Sequence, residues 1–235
     1  MDKQSYVNNI FSSVSNKYDV MNDLMSLGLH RYWKQKFIDK ITNYSSSILD
    51  VACGSGDIIK GVYKRSRKYG GNIDITGIDI NEEMLEIARN KLIDDNILNA
   101  QLLCGSATEL PFPDCSFDYY LISFGIRNIA DINKSISEAY RVLKPGGCFL
   151  CLEFSKVQNP LFDKIYQSYS KCIPTLGNIV AKDKSAYQYL VDSIASFYSQ
   201  EELVQILKSN NFVHVSYQNL TMGVVAIHEA YKQNS

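Results

Sequence analysis

The sequence has no apolar run approaching the ~18 residues that a membrane-spanning helix needs, and it carries almost no net charge. Its 24 lysines and arginines stand against 25 aspartates and glutamates, a formal balance of -1. That balance excludes the whole-molecule field that draws a protein to nucleic acid or to an anionic membrane. The start, Met1-Asp-Lys-Gln-Ser5, lacks a basic segment followed by an apolar one, and no Arg-rich, acid-poor presequence follows it. Neither a secretory nor an organellar signal is therefore expected, and a soluble, cytoplasmic chain is. No His-x-x-x-His spacing or Asp/Glu/His grouping suggests a metal site, so none is expected. Six cysteines are present, but a chain of 235 residues in a reducing compartment needs no disulfides. Cys148 and Cys151 have C-x-x-C spacing inside an apolar run that reads as a strand. Residues three apart on a strand face opposite sides, so core packing is expected of this pair in place of redox or zinc chemistry.

Hydrophobic residues at 46% and charged residues at 21% are enough to build one large core. Apolar runs at 47–52, 73–78, 99–104, 117–124 and 147–154 read as strands, and helical periodicity occupies 57–68, 81–94 and 133–143. That alternation predicts a parallel sheet with helices on both faces. Lys144-Pro-Gly-Gly147 supplies the stop after the last of these helices. The ends depart from the pattern. Residues 1–46 look helical, and 156–197 read as a helical insertion interrupted at Pro174 and Gly177. In 198–235, Ser199 and Glu202 form a capping-box start, followed by two alternating segments, 212–219 and 223–231, expected to pair antiparallel. No linker, repeat or low-complexity segment appears, so a single domain with 47–155 as its ligand-binding half is expected.

The most informative stretch is Ile48-Leu-Asp-Val-Ala-Cys-Gly-Ser-Gly-Asp57, a strand that turns through Gly54 and Gly56 into a helix. Glycines there allow a ligand to approach the backbone where a Cβ would exclude it. Dinucleotide binders want a third glycine three residues beyond the second, and Ile59 stands there instead. Asp50 and Asp57 flank the turn with negative charge, which would repel a pyrophosphate and suits a cationic cofactor such as S-adenosylmethionine. Asp79 closes the next strand, 23 residues after Gly56. An acid there can accept ribose hydroxyls in either cofactor class, so alone it does not separate them.

Taken together, these features resemble a class I S-adenosylmethionine-dependent methyltransferase, and the chain is similar to the ubiquinone/menaquinone biosynthesis C-methyltransferase family. Three blocks carry the resemblance: Tyr18-Asp-Val-Met-Asn-Asp-Leu-Met-Ser26 with His30 and Trp33; Ser123-Phe-Gly-Ile-Arg-Asn128 with Asp131; and Arg141-Val-Leu-Lys-Pro-Gly-Gly147 with Glu153-Phe-Ser155. It spans about 14–232. The fold it implies is α/β and Rossmann-like: a seven-stranded, mostly parallel sheet closed by the C-terminal antiparallel hairpin. The cofactor contacts it implies are Ser55, Asp79, Ser106, Ala107 and Ser123, beside Asp50, Gly54 and Gly56 of the turn. Ser106 replaces the family's usual Asn or Asp, which removes an amide or carboxylate from the adenine site and leaves the Ala107 N–H.

The reaction the resemblance implies is C-methylation of a prenylated quinol, either a 2-polyprenyl-6-methoxy-1,4-benzoquinol or a demethylmenaquinol. It also implies contact with a membrane surface and with other quinone-synthesis proteins. Methyl transfer needs position and a nucleophile, and a quinol carbon becomes nucleophilic when a neighbouring hydroxyl is deprotonated. Arg127 is the first candidate to stabilise that phenolate, with a salt bridge to Asp131 as its structural alternative; Asn128, Asp131, His30 and His228 are the others. His30 reads more readily as a staple beside Trp33, and His228 as a satisfied histidine of the hairpin. Among 16 tyrosines, Tyr166, Tyr169, Tyr187 and Tyr189 fall in the helical insertion and suit an apolar path with polar tips. Lys60, Lys64, Arg65, Arg67 and Lys68 form a basic run after the glycine turn, a solvated face or a weak lipid-docking patch. The remaining alternatives are methylation of another small molecule and a nonenzymatic scaffold that keeps the fold.

Overall fold

A computed structural model describes residues 22–23, 26–181 and 184–234. The helical expectation for 1–21 and most of the Tyr18–Ser26 block lie outside the described residues. Among the described residues, helix α1 (His30–Ile38) precedes β1 (Ser47–Val51), α2 (Asp57–Tyr69), β2 (Asp74–Asp79), α3 (Glu82–Asp94) and β3 (Gln101–Cys104). Then come β4 (Phe117–Ser123), α4 (Ile132–Val142), β5 (Leu143–Phe154), α5 (Pro160–Ala181), α6 (Lys184–Ser196) and α7 (Gln200–Ser209). The hairpin of β6 (Val213–Leu220) and β7 (Val225–Tyr231) closes the chain.

The seven strands form one sheet in the order β3-β2-β1-β4-β5-β7-β6. β1 to β5 run parallel, β7 pairs antiparallel with β5, and β6 pairs antiparallel with β7. The chain winds outward from β1 to β3 and then returns to the other side of β1 as β4. Open α/β sheets bind ligands outside the strand ends at such a reversal, which makes the carboxyl ends of β1 and β4 the place to look.

Both faces of the sheet are covered, so the central strands are apolar on both sides. Trp33 and Phe37 of α1, Ile59 and Val62 of α2, and Leu85 of α3 pack on the face that carries Ile48 and Leu150. Ile136 and Ala139 of α4 and Leu203 and Leu207 of α7 pack on the face that carries Leu49 and Phe149. Cys148 belongs to the first layer and Cys151 to the second, the divergence expected of strand neighbours three apart. Ser199 caps α7 as read from the sequence: its hydroxyl accepts the Glu202 N–H, and Glu202 accepts the Ser199 N–H.

Two boundaries differ from expectation. α5 runs through Pro174 and Gly177 without a break, although the proline removes one backbone bond, and Ile173 beside it is buried in the first core layer. Residues 144–147 are not a free turn but the start of β5: Gly146 N–H donates to the Lys232 carbonyl at 3.1 Å, and Lys232 N–H donates to that of Gly147 at 2.9 Å.

Candidate functional site

Two loops meet at the reversal point, and both are backbone-strained. After β1, Ala52 takes φ +53° and Gly54 φ +53°; after β4, Phe124 takes φ +55°. A left-handed conformation at Ala52 and Phe124 costs on the order of 1 kcal/mol each, and such strain clusters at ligand sites. The loops touch: a Cβ on Gly125 would stand 2.6 Å from that of Ala52. Between them and β2 lies a cleft of about 750 Å³ lined by Val51, Asp79, Asn81, Met84, Ser106 and Ser123 among others. A smaller extension of about 330 Å³ reaches Lys34, Asp50, Ser55 and Asp57, and the two parts share Ala52, Gly54, Ser123 and Phe124.

The structure therefore brings Asp50, Gly54, Ser55, Asp79, Ser106, Ala107 and Ser123 to one cleft. Gly56 is different. It caps α2 at φ +78° and faces α3, where an added Cβ would lie 3.2 Å from the Ala88 Cβ; it lines neither part of the cleft. The close helix–strand packing that a third glycine gives in dinucleotide folds is supplied from the strand instead. A Cβ on Gly77 of β2 would come within 2.7 Å of the Ile59 Cδ1, so Ile59 is tolerated because β2 makes room for it.

The acids also divide. Asp79 holds the turn in place: Oδ2 accepts the Gly54 N–H at 2.8 Å, and Oδ1 accepts the Asn81 N–H at 2.9 Å. Burial raises its carboxyl above the usual range, against the pull of those backbone donors. Asn81, not Asp79, caps α3 by accepting the Met84 N–H at 3.1 Å. Asp57 was read as negative charge offered to the ligand, but it is already answered: Lys34 Nζ lies 2.7 Å from Oδ2 and Lys91 Nζ 3.6 Å from Oδ1. Lys34 and Lys91 hold its carboxyl below the usual range despite burial. Asp50 is 1% exposed, and its Oδ2 has no hydrogen-bond partner. Burial, with Asp79 and Asp57 nearby, pushes its carboxyl well above the ordinary range. An unanswered buried acid is costly, and in a cleft it fits a cationic group of a ligand. The Ser123 Oγ beside it is likewise buried without a partner. These two orphans suit the ammonium-bearing end of S-adenosylmethionine. The Ser106 hydroxyl, by contrast, is engaged with Thr108, 2.9 Å from its Oγ1.

The candidates for acid–base work sit elsewhere. Arg127 lies in a short 3-10 turn, Ile126–Asn128, and its Nη1 is 2.7 Å from Glu153 Oε1, with the two side chains 4% and 1% exposed. The same nitrogen donates to the Phe124 carbonyl at 2.7 Å. The salt bridge expected to Asp131 is not formed; Asp131 instead caps α4, accepting the Lys134 N–H at 2.9 Å. Arg127 is thus committed to a buried pair rather than presented to the cleft as a free cation. His228 is 2% exposed on β7, its Nε2 3.1 Å from the Gln200 carbonyl, and burial lowers its pKa to about 4. It lines neither part of the cleft. The His30 Nδ1 lies 2.9 Å from Ser26 Oγ, one turn back along the chain. Asn128 does line the cleft, and its Oδ1 accepts the Tyr189 hydroxyl at 2.9 Å, which ties α6 to the loop after β4.

Sequence reasoning missed Lys34, Lys91, Asn81, Met84 and Phe124. Lys34 sits beside Trp33, whose ring lies 6.2 Å from Phe124 and 6.1 Å from Phe154 and whose Nε1 donates to Thr221 Oγ1 at 2.8 Å. Those contacts fix α1 against the strand ends, and no local pattern announces them. The basic run after the glycine turn is balanced by acids and carbonyls: Lys60 and Lys64 pair with Asp95, Arg65 pairs with Asp39, and Arg67 donates to the Asn96 carbonyl.

Comparison with known proteins agrees with this architecture. Solved structures share the fold at low identity. A methyltransferase from Thermotoga maritima described as a possible histamine N-methyltransferase is 19% identical, with a TM-score of 0.69 over 97% of this chain and 100% of that one. A phosphoethanolamine N-methyltransferase of Haemonchus contortus, in complex with S-adenosyl-L-methionine, is 18% identical, with a TM-score of 0.58 over 83% of this chain and 50% of that one. Among sequences, the ubiquinone/menaquinone biosynthesis C-methyltransferase UbiE of Rickettsia bellii is 55% identical over 98% of this chain and 94% of its own length. The protein of the same name from Rickettsia felis is 56% identical over the same shares. The model of the ubiE/COQ5 methyltransferase family matches residues 1–232, and this chain belongs to that family.

Proposed function

We propose that the protein is an S-adenosylmethionine-dependent C-methyltransferase that methylates a prenylated quinol ring in ubiquinone or menaquinone biosynthesis. The observation that carries the reading is the 55% identity, over 98% of the chain, to relatives bearing that name. The cleft supports the cofactor half of it. S-adenosylmethionine, when bound, supplies a methyl group on a sulfonium for in-line displacement by a ring carbon.

In this reading, Asp50 answers the cofactor's ammonium and Ser123 offers the hydroxyl beside it. Asp79, already fixed by Gly54 and Asn81, accepts the ribose hydroxyls with its remaining lone pairs. The Ala107 N–H, not the Ser106 hydroxyl, meets the adenine, since Ser106 is spent on Thr108. Arg127 and Glu153 position the 124–128 loop, so that Phe124 and Asn128 border the reacting ring. A phenolate there would meet the field of a closed ion pair, which makes Arg127 a positioning residue before anything else. The prenyl tail has a natural place. A second cavity of about 910 Å³ opens between the exit of β5 and helices α5 and α6, with Val157, Tyr166, Val191 and Ile194 in its wall.

No helix among the described residues is long and apolar enough to cross a membrane, so a membrane-dissolved acceptor would be met at the surface. Mass spectrometry of quinones from cells lacking the protein tests the function. Accumulation of a ring one methyl short, reversed by wild type and not by Asp50→Asn, is the expected result. An unchanged quinone profile would defeat the proposal.

A further inference from the structure

Asp50 is only half of what the small extension of the cleft contains. The same cavity is lined by Lys34, which comes from α1, before the sheet begins. The Lys34 side chain is 14% exposed, and its ammonium lies 2.7 Å from Asp57 at the start of α2. Asp57 has a second cation in Lys91, at 3.6 Å, and Lys91 is itself held by Ser55 Oγ at 3.2 Å. Asp57 therefore stays neutralised if Lys34 shares its protons with another anion. Lys34 also acts on Asp50, drawing its carboxyl down against burial. One small cavity thus presents a fixed ammonium and an unanswered buried carboxyl together. It opens at the amino end of α2, a helix of 13 residues whose dipole favours negative charge there.

Two acids alone would suit a simple cation. An ammonium and a carboxyl side by side suit a zwitterion, an amino-acid end that carries both an α-ammonium and an α-carboxylate. We infer that Lys34 anchors the α-carboxylate of the cofactor's methionine end, while Asp50 takes its α-ammonium. The inference rests on the cleft being the S-adenosylmethionine site. It makes α1 part of that site: Trp33 locks the helix onto Phe124 and Phe154, and the next residue reaches the ligand. Cofactor binding then ties the segment before β1 to the core.

Decarboxylated S-adenosylmethionine keeps the sulfonium, the amine and the nucleoside but lacks the carboxylate, so it isolates this contact. By titration calorimetry, wild type should prefer the carboxylated cofactor by about tenfold or more, the scale of a charge-assisted hydrogen bond. Lys34→Met should collapse that preference toward one, mainly by weakening S-adenosylmethionine, and Lys34→Arg should retain it. The ratio is taken on one sample, so a partly unfolded variant does not distort it. On wild type alone, hydrogen exchange across α1 should slow with S-adenosylmethionine and much less with the decarboxylated form. A wild-type ratio near one, an undiminished ratio in Lys34→Met, or equal slowing by both ligands overturns the inference. Failure of wild type to bind either ligand would defeat the cofactor reading beneath it.

Discussion

Asp50 and Glu153 hold equivalent places in the sheet, each the penultimate residue of a parallel strand and each 1% exposed. Their surroundings differ. Glu153 receives Arg127 Nη1 at 2.7 Å and the Phe154 N–H at 2.9 Å on Oε1, and the Arg127 N–H at 3.4 Å on Oε2. Asp50 has acids for neighbours and an oxygen with no partner. Burial raises both carboxyls; at Glu153 the hydrogen-bonded Arg127 charge opposes the rise, whereas at Asp50 the acids Asp79 and Asp57 add to it and only the pull of Lys34 opposes it. A buried charge with an internal partner is architecture. One without a hydrogen-bond partner, lining a cleft, suits a ligand, and the contrast separates the closed β5 side of the molecule from the open β1 side.

The contrast can be broken most sharply at Glu153. Glu153→Gln leaves the Arg127 cation buried without its counter-ion and should cost about 3–5 kcal/mol in urea unfolding. Replacing both partners, as Arg127→Met with Glu153→Leu, should recover most of that loss. A single variant as stable as wild type would show that the pair is not structural. Asp50→Asn should behave in the opposite way. Stability should stay within about 1 kcal/mol of wild type, because a strained charge is removed, while S-adenosylmethionine affinity falls on the order of 30- to 100-fold. Wild-type affinity should also weaken as pH falls through the raised titration of Asp50, since the ammonium needs the carboxylate form. Asp50→Asn should lose that dependence in calorimetry.

His228 sharpens the comparison as a third solution, a buried group that stays neutral. Its pKa is lowered to about 4 from the ordinary 6.5, so the unfolded chain binds a proton between those values that the folded chain refuses. Stability should therefore fall as pH drops from about 6.5 toward 4, by up to about 3 kcal/mol, and His228→Gln should flatten that slope. The smallest effect belongs to the surface. The Lys64–Asp95 pair at 3.1 Å is solvated, and Lys64→Ala should leave both the melting temperature and the cofactor affinity unchanged. A shift in vesicle co-sedimentation with Lys64→Glu would favour the lipid-docking reading of the basic run over the solvated face.

The β/α alternation, the glycine turn and the Ser199 capping box were legible because each depends on residues close in sequence. The divergence of Cys148 and Cys151 followed from strand geometry alone. The misreadings all concern partners distant in sequence. The structural alternative for Arg127 is a salt bridge to Asp131, four residues on, but Arg127 pairs with Glu153 on a neighbouring strand. Asp57 looked like open negative charge because Lys34 and Lys91 approach it from two other helices. Ile59 in place of a third glycine speaks against a dinucleotide cofactor, but the space it fills beside Gly77 of β2 shows only in the fold. Pro174 looks like a break, but α5 continues through it, with Ile173 buried in the core beside it.

The alternation of apolar runs with helical periods, and the acid-flanked glycine turn, pointed by themselves to an α/β chain suited to a charged small ligand. Such features are local or additive, and a linear reading captures them. Which acid is answered inside the fold was decided only by the tertiary structure. Charges act through space, and folding brings cations to Asp57 and Glu153 while leaving an oxygen of Asp50 unanswered.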